Sequence, residues 1–338
     1  MQQSTLGQRA FRLTTLVAFI IPVFGTATNA FACAACGCTL STNWQTQGIN
    51  TTPGMSLNLT YSYINQNQQR YGTDAASTAK INQLLAAGQE VEDYTRTQTV
   101  TAMFNYTAGN WGATVQLPYI NRKHATYADT APLGSSYLTS SANGIGDIRM
   151  LGRYTGLSTD RSKGFIVGLK LPTGNTSTTF NDGSALDPSL QIGTGSTDVI
   201  LGGFMAGNIE NYGWFVQGSF QHAVKTKSFE GEEYKPGDTY SFNTGIRRAK
   251  FGAKFTPMLQ LNIIHRRADE GGAASPSDVL TSGPATGGTL AYLAPGATLR
   301  IGSGTSVYGF VQLPVYQKVN SLQLAPKYTV TLGVRLSL

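Results

Sequence analysis

The chain has 338 residues, of which 13% are charged and 41% hydrophobic, with 39 glycines and 16 tyrosines; the charged share is about half that of an average soluble domain. Its net charge of +7 is spread singly, with clusters only at Arg247-Arg248, Arg266-Arg267 and Arg122-Lys123-His124, which excludes the dense basic footprint of a nucleic-acid binder. No apolar run reaches the roughly 18 residues that a spanning helix needs, so any membrane crossing must use strands.

Residues 1–32 have the build of a secretory signal: Arg9 and Arg12 as the positive start, Leu13 to Phe24 as the apolar stretch, and Ala30-Phe31-Ala32 as a small-x-small cleavage site. The segment 33–54 that follows carries all three cysteines, Cys33, Cys36 and Cys38. In an oxidising compartment two would pair and one would remain, unless Cys33 carries a lipid. The three thiols are candidates for a disulfide, a soft metal or a redox partner. Gly37 stands where a haem-attachment motif requires His. Without a nearby His, three cysteines do not complete a tetrahedral zinc site.

From Met55 the pattern changes to alternation. Met55, Leu57, Leu59, Tyr61 and Tyr63 share one face, with Ser56, Asn58, Thr60 and Ser62 on the other, the period of a half-wet strand. The same pattern recurs in twelve segments, near 55–65, 93–107, 111–122, 145–155, 164–172, 197–206, 212–224, 238–247, 255–266, 287–299, 305–316 and 327–338. Short connections fall near 108–110, 156–163, 207–211, 248–254 and 300–304. Long ones fall near 66–92, 123–143, 173–196, 225–237, 267–286 and 317–326. A short helix is expected at Ala79 to Ala87. The last segment alternates without a break from Tyr328 to Leu338. Such a pattern predicts an all-β fold: a transmembrane antiparallel up-and-down barrel over 55–338, with short periplasmic turns and long extracellular loops.

A cation at the lipid midplane of a barrel costs about 2 to 4 kcal/mol, so Arg149, Arg153, Lys170, Arg247 and Arg335 are expected to point into the lumen, with Asp147 and Asp198 as counter-charges. These seven are the candidate lumen-lining, selectivity-setting residues. Tyr and Trp near strand ends, such as Trp111, Tyr119 and Tyr154, suit interfacial girdles. Leu117-Pro118, Leu171-Pro172 and Leu313-Pro314 end or bulge their strands, a device that could fold a loop over the pore. His124, His222 and His265 fall near outer strand ends, and no Gly-x-Ser-x-Gly motif accompanies them.

Four stretches, Asn143 to Arg149, Gly168 to Gly174, Gly193 to Asp198 and Gln312 to Leu338, together resemble the outer-membrane barrels grouped with the meta-pathway of phenol degradation. The resemblance implies an outer-membrane channel, in some members for hydrophobic or aromatic compounds. The cysteine head followed by Leu40 to Trp44 resembles a cysteine-headed subgroup, and Leu338 replaces the usual terminal Phe or Trp.

The resulting expectation is a non-enzymatic, passive outer-membrane channel or facilitator for small solutes, its lumen narrowed by loops, with no obligatory cofactor. Its expected partners are outer-membrane lipid, the barrel assembly machinery through the C-terminal strand, and the solute. The alternative is a barrel that anchors the cysteine head as a metal-binding or thiol-redox module with a periplasmic partner. A weaker one is an outer-membrane hydrolase.

Overall fold

The computed structural model of the protein describes residues 53–127, 137–248, 254–271, 278 and 280–338. The expected secretory signal and the cysteine head, residues 1–52, lie outside the described residues. Twelve strands form the barrel: β1 (Gly54–Tyr71), β2 (Val91–Ala108), β3 (Trp111–Tyr127), β4 in two pieces (Tyr137–Ile145 and Ile148–Tyr154), β5 (Lys163–Leu171), β6 (Ser196–Ile209), β7 (Tyr212–Thr226), β8 (Thr239–Arg248), β9 (Phe255–Arg266), β10 (Gly288–Arg300), β11 (Thr305–Val319) and β12 (Leu322–Ser337). Each pairs antiparallel with the next, and β12 pairs with β1 to close the sheet. Closure removes the free edge between first and last strands, which a wall facing hydrocarbon requires; the Tyr137–Ile145 piece of β4 pairs with β3 alone.

Period-two alternation sets the two faces. At the closing seam Leu57 lies opposite Leu336, Leu59 opposite Val334 and Tyr61 opposite Leu332. These pairs belong to an apolar outer surface that includes Val100, Phe104, Val167, Leu201, Phe242 and Leu332. Their sequence neighbours Ser56, Asn58, Thr60, Ser62, Thr329, Thr331 and Arg335 point inward and are buried. The interior is mixed, because Ile166, Ile200, Phe204, Phe215, Met258 and Phe310 also point inward. On β3 the outer row turns polar after Tyr119, at Asn121 and Lys123. The upper ends of β1 to β4, β11 and β12 therefore project beyond the apolar belt.

Rows of paired residues climb as they pass round the wall. Starting at Ser56, the row runs through Asn105, Thr114, Leu151, Gly168, Ile200, Gln221, Thr239, Arg266, Gly288 and Val319. Val319 faces Leu322 across a turn, and Leu322 pairs with Tyr71, so one circuit gains 71 − 56 = 15 residues. That stagger is how a closed barrel acquires its strand tilt of roughly 35–45°.

The long-loop end differs from the expected layout: β1 runs on to Tyr71, β3 to Tyr127 and β4 begins at Tyr137, so parts of 66–92 and 123–143 are strand, and the last long loop is absent. Residues 317–326 are not a long loop: β11 and β12 continue to a two-residue turn at Asn320-Ser321, where Ser321 takes a positive φ of 55°. Both faces are covered here, so Leu322 through Pro326 are all buried and no alternation marks the strand. The covering includes helix α1 (Thr78–Ala86), capped by the Ser77 side chain, which accepts the Lys80 amide at 3.2 Å. Its Leu84 and Leu85 pack with Val91 and Leu322.

Candidate functional site

The three glycine-rich stretches on β4, β5 and β6 converge on one point of the inner wall. Pro118 of β3 has no N–H for the ladder, and opposite it β4 breaks between Ile145 and Ile148. The Gly146 amide donates to the Pro118 carbonyl at 2.8 Å. Thr173 bridges the gap: its hydroxyl donates to the Gly146 carbonyl at 2.8 Å and accepts the Ile148 amide at 3.0 Å. The break places the Asp147 carboxylate inside the barrel, at the neck of the loop between β5 and β6.

Asp147 holds both sides of that neck. Its Oδ1 accepts the Gly174 amide at 3.0 Å, and its Oδ2 accepts the Thr194 amide at 2.9 Å and the Thr194 hydroxyl at 2.7 Å. The two limbs approach so closely that a Cβ on Gly174 would stand 2.5 Å from the Cα of Gly193. Lys170 Nζ lies 2.7 Å from Asp198 Oδ2 and 3.7 Å from Asp147 Oδ2, and donates to Ser196 Oγ at 3.0 Å. Ser196 Oγ donates to Asp198 Oδ1 at 2.6 Å, and Gln221 Nε2 also donates to Asp198. One buried ammonium thus sits between two buried carboxylates whose other lone pairs are filled, the condition under which a buried ion pair is tolerable.

The loop above the neck, residues 172–195, contacts inward-facing strand residues. Arg122, inward on β3, donates through Nη1 to the Leu190 carbonyl at 2.8 Å and the Gln191 carbonyl at 2.9 Å. Phe180, Leu186 and Leu190 form a small core with Leu138. The Gln191 amide exchanges hydrogen bonds with both backbone groups of Thr178 at 2.9 Å. His124, also inward, shares a hydrogen bond with Thr95 at 2.9 Å and lies against Phe180. Farther out, burial pushes the Asp187 carboxyl of this loop up to about 6, with Asp269 adding to the effect and the Ser189 hydrogen bonds and Arg266 opposing it. Asp269 belongs to the β9–β10 loop and accepts the Gly237 amide of the β7–β8 loop at 2.7 Å.

The seven sequence-nominated residues separate into two groups. Asp147, Lys170 and Asp198 form the clasp, and Arg149 shares its row with Lys170. Arg153, Arg247 and Arg335 lie toward the short-turn end, all buried. Arg122 and the Gly174–Gly193 contact were not singled out by sequence. The first was legible as the inward phase continuing past Tyr119; the second depends on a fold of the loop that no periodicity announces. His222 and His265 stay on the outer rim, where His222 lies 2.6 Å from Asp238 and His265 shares a 2.8 Å hydrogen bond with Thr289. Among the described residues no three His, Cys, Asp or Glu side chains are grouped to hold a metal.

A Pseudomonas putida F1 outer-membrane channel superposes with a TM-score of 0.57 at 12% identity, covering 85% of this chain and 96% of that one. The chain shares its fold with an outer-membrane channel. More distant barrels are the β domain of the Bordetella autotransporter Brka, with a TM-score of 0.46 at 11% identity over 85% and 100% of the two chains, and the toluene transporter TbuX of Ralstonia pickettii, at 0.43 and 10% over 85% and 90%. No family model matches the chain, and no curated protein matches it in sequence.

Proposed function

We propose that the protein is a passive outer-membrane channel for small solutes, narrowed by the β5–β6 loop. The observation that carries this reading is the inward placement of that loop: Arg122, on the lumen face of β3, holds its backbone at Leu190 and Gln191, while Asp147 fastens its neck. An apolar outer belt with a largely hydrogen-bonding inner wall suits a barrel with lipid outside and water within. Short turns then face the periplasm and long loops the exterior. Asp147 and Asp198 balance Arg149 and Lys170 at the clasp, so the excess positive charge of the lumen comes from Arg122, Arg153, Arg247 and Arg335. Rings of one sign select by charge, and this excess favours small anionic or polar solutes. The resemblance to barrels of phenol degradation makes aromatic acids reasonable first candidates.

Planar-bilayer recording tests the proposal. Under a KCl gradient the wild-type protein should give a small conductance with a reversal potential on the chloride side. Replacing residues 176–192 by a short glycine linker should raise the conductance severalfold. Absence of any conductance from either form would remove the channel reading.

A further inference from the structure

The inner wall of β8 to β12 carries a patch of uncharged hydrogen-bonding side chains. Asn243 of β8 pairs across the ladder with Asn262 of β9, Asn262 Nδ2 donates to Gln312 Oε1 of β11 at 3.4 Å, and Gln312 pairs with Thr329 of β12. All four point inward, and none is more than 4% exposed. Among the described residues, Asn243 Oδ1, Asn262 Oδ1 and Thr329 Oγ1 meet no hydrogen-bond partner. A wall wetted by a water-filled lumen would show these atoms to solvent, and sealing them without a partner is the costly combination. The contacts described for the β5–β6 loop lie elsewhere. They fall at Arg122, Leu138 and Thr139, on the long-loop side of the clasp, whereas Asn243 lies four residues to the short-turn side of Thr239, the partner of Gln221.

The stretch ahead of β1 has the chemistry and the reach to cover this patch. β1 starts at Gly54, at the short-turn end and beside β12. The φ of +117° at Gly54 suits glycine and lets the chain turn away from the line of the strand. Residues 33–52 contain no charged side chain, and ten of the twenty are Ser, Thr, Asn or Gln. No ion would have to be buried when they meet an uncharged wall. Extended, twenty residues reach about 66 Å, against roughly 30 Å for a hydrocarbon core. Their backbone N–H groups and carboxamides supply the donors that the three buried oxygens lack.

We propose that residues 33–52 enter the lumen at the short-turn end and lie along β8 to β12 as an internal plug. The consequence for passage rests on the channel reading, but the placement is measured without current. The test takes the full chain, folded in detergent, with Cys33→Ser, Cys36→Ser and Cys38→Ser so that a single introduced thiol reports. A benzophenone label on Thr46→Cys should cross-link, on irradiation, to β8–β12 peptides of the same chain. Asn243→Cys should react with a water-soluble methanethiosulfonate at least tenfold more slowly than Asp160→Cys, which stands exposed in a short turn. Adding Thr42→Lys and Thr46→Lys, whose charges the cationic lumen repels, should raise the Asn243→Cys rate at least tenfold and leave that of Asp160→Cys unchanged. If Asn243→Cys does not form a barrel, Thr329→Cys takes its place. Cross-links absent or confined to neighbouring molecules, rapid labelling of the lumen thiol without the lysines, or equally slow labelling with and without them overturns the proposal. A shielded lumen thiol in a protein that conducts nothing would sink the channel reading and leave the plug standing, and free labelling in a conducting protein would do the reverse.

Discussion

Lys170 concentrates the energetic risk of the lumen in one side chain. Its ammonium is 3% exposed and separates two carboxylates that are themselves nearly sealed from water. Replacing it with methionine preserves most of the volume but leaves Asp147 and Asp198 facing each other without a cation. Breaking a buried pair from one side costs about 3–5 kcal/mol, so Lys170→Met should lower the urea midpoint of the detergent-folded barrel by a corresponding amount. Asp198→Asn in the same chain should recover much of the loss, because the remaining carboxylate keeps its amide and hydroxyl donors from Gly174 and Thr194. Equal midpoints for Lys170→Met and the parent would show that the clasp adds nothing to stability. Alternation alone disclosed the partners here: Asp147 and Arg149 share a phase with Arg153, and Lys170 opposes Leu169 and Leu171. What it withheld was that the partners are also the fastening of a loop.

The β5–β6 loop is the element in which conformation and passage meet. Gly174 and Gly193 touch backbone to backbone, so no rotamer change can make room for a side chain at either position. Gly174→Val should force the limbs apart and withdraw the Gly174 amide from Asp147. The barrel should still migrate as a heat-modifiable folded species, while bilayer conductance rises toward that of the loop-replaced protein. A Gly174→Val channel with unaltered conductance would mean that the neck does not control the path. Legibility follows the same division between wall and loop. Twelve strands and the helix at Thr78–Ala86 were readable because one face of each was apolar. Leu322 to Pro326 were not, since burial on both sides erased the period. The inward loop itself was foreshadowed only by Leu171-Pro172 at its root, a device that more often just ends a strand.

For the whole molecule, the decisive property is which solvent each face meets. The outer belt exposes Leu201 and its neighbour Val167, with a half-buried Phe220 on the strand to the other side. In water such a surface would be an aggregation liability; in a bilayer it is the ordinary wall of a barrel. The two environments give opposite consequences for a cation. In lipid, Leu201→Arg should destabilise the barrel by about 2–4 kcal/mol, whereas Asn121→Arg, where the outer row has already become polar, should cost only about 0–1 kcal/mol. Reversible urea unfolding in phospholipid vesicles measures both. A matching small cost at the two positions would place Leu201 in water, and the division into a lipid-facing wall and a conducting interior would fail with it. A steep difference would fix the height of the bilayer on the strands and leave the clasp inside the membrane.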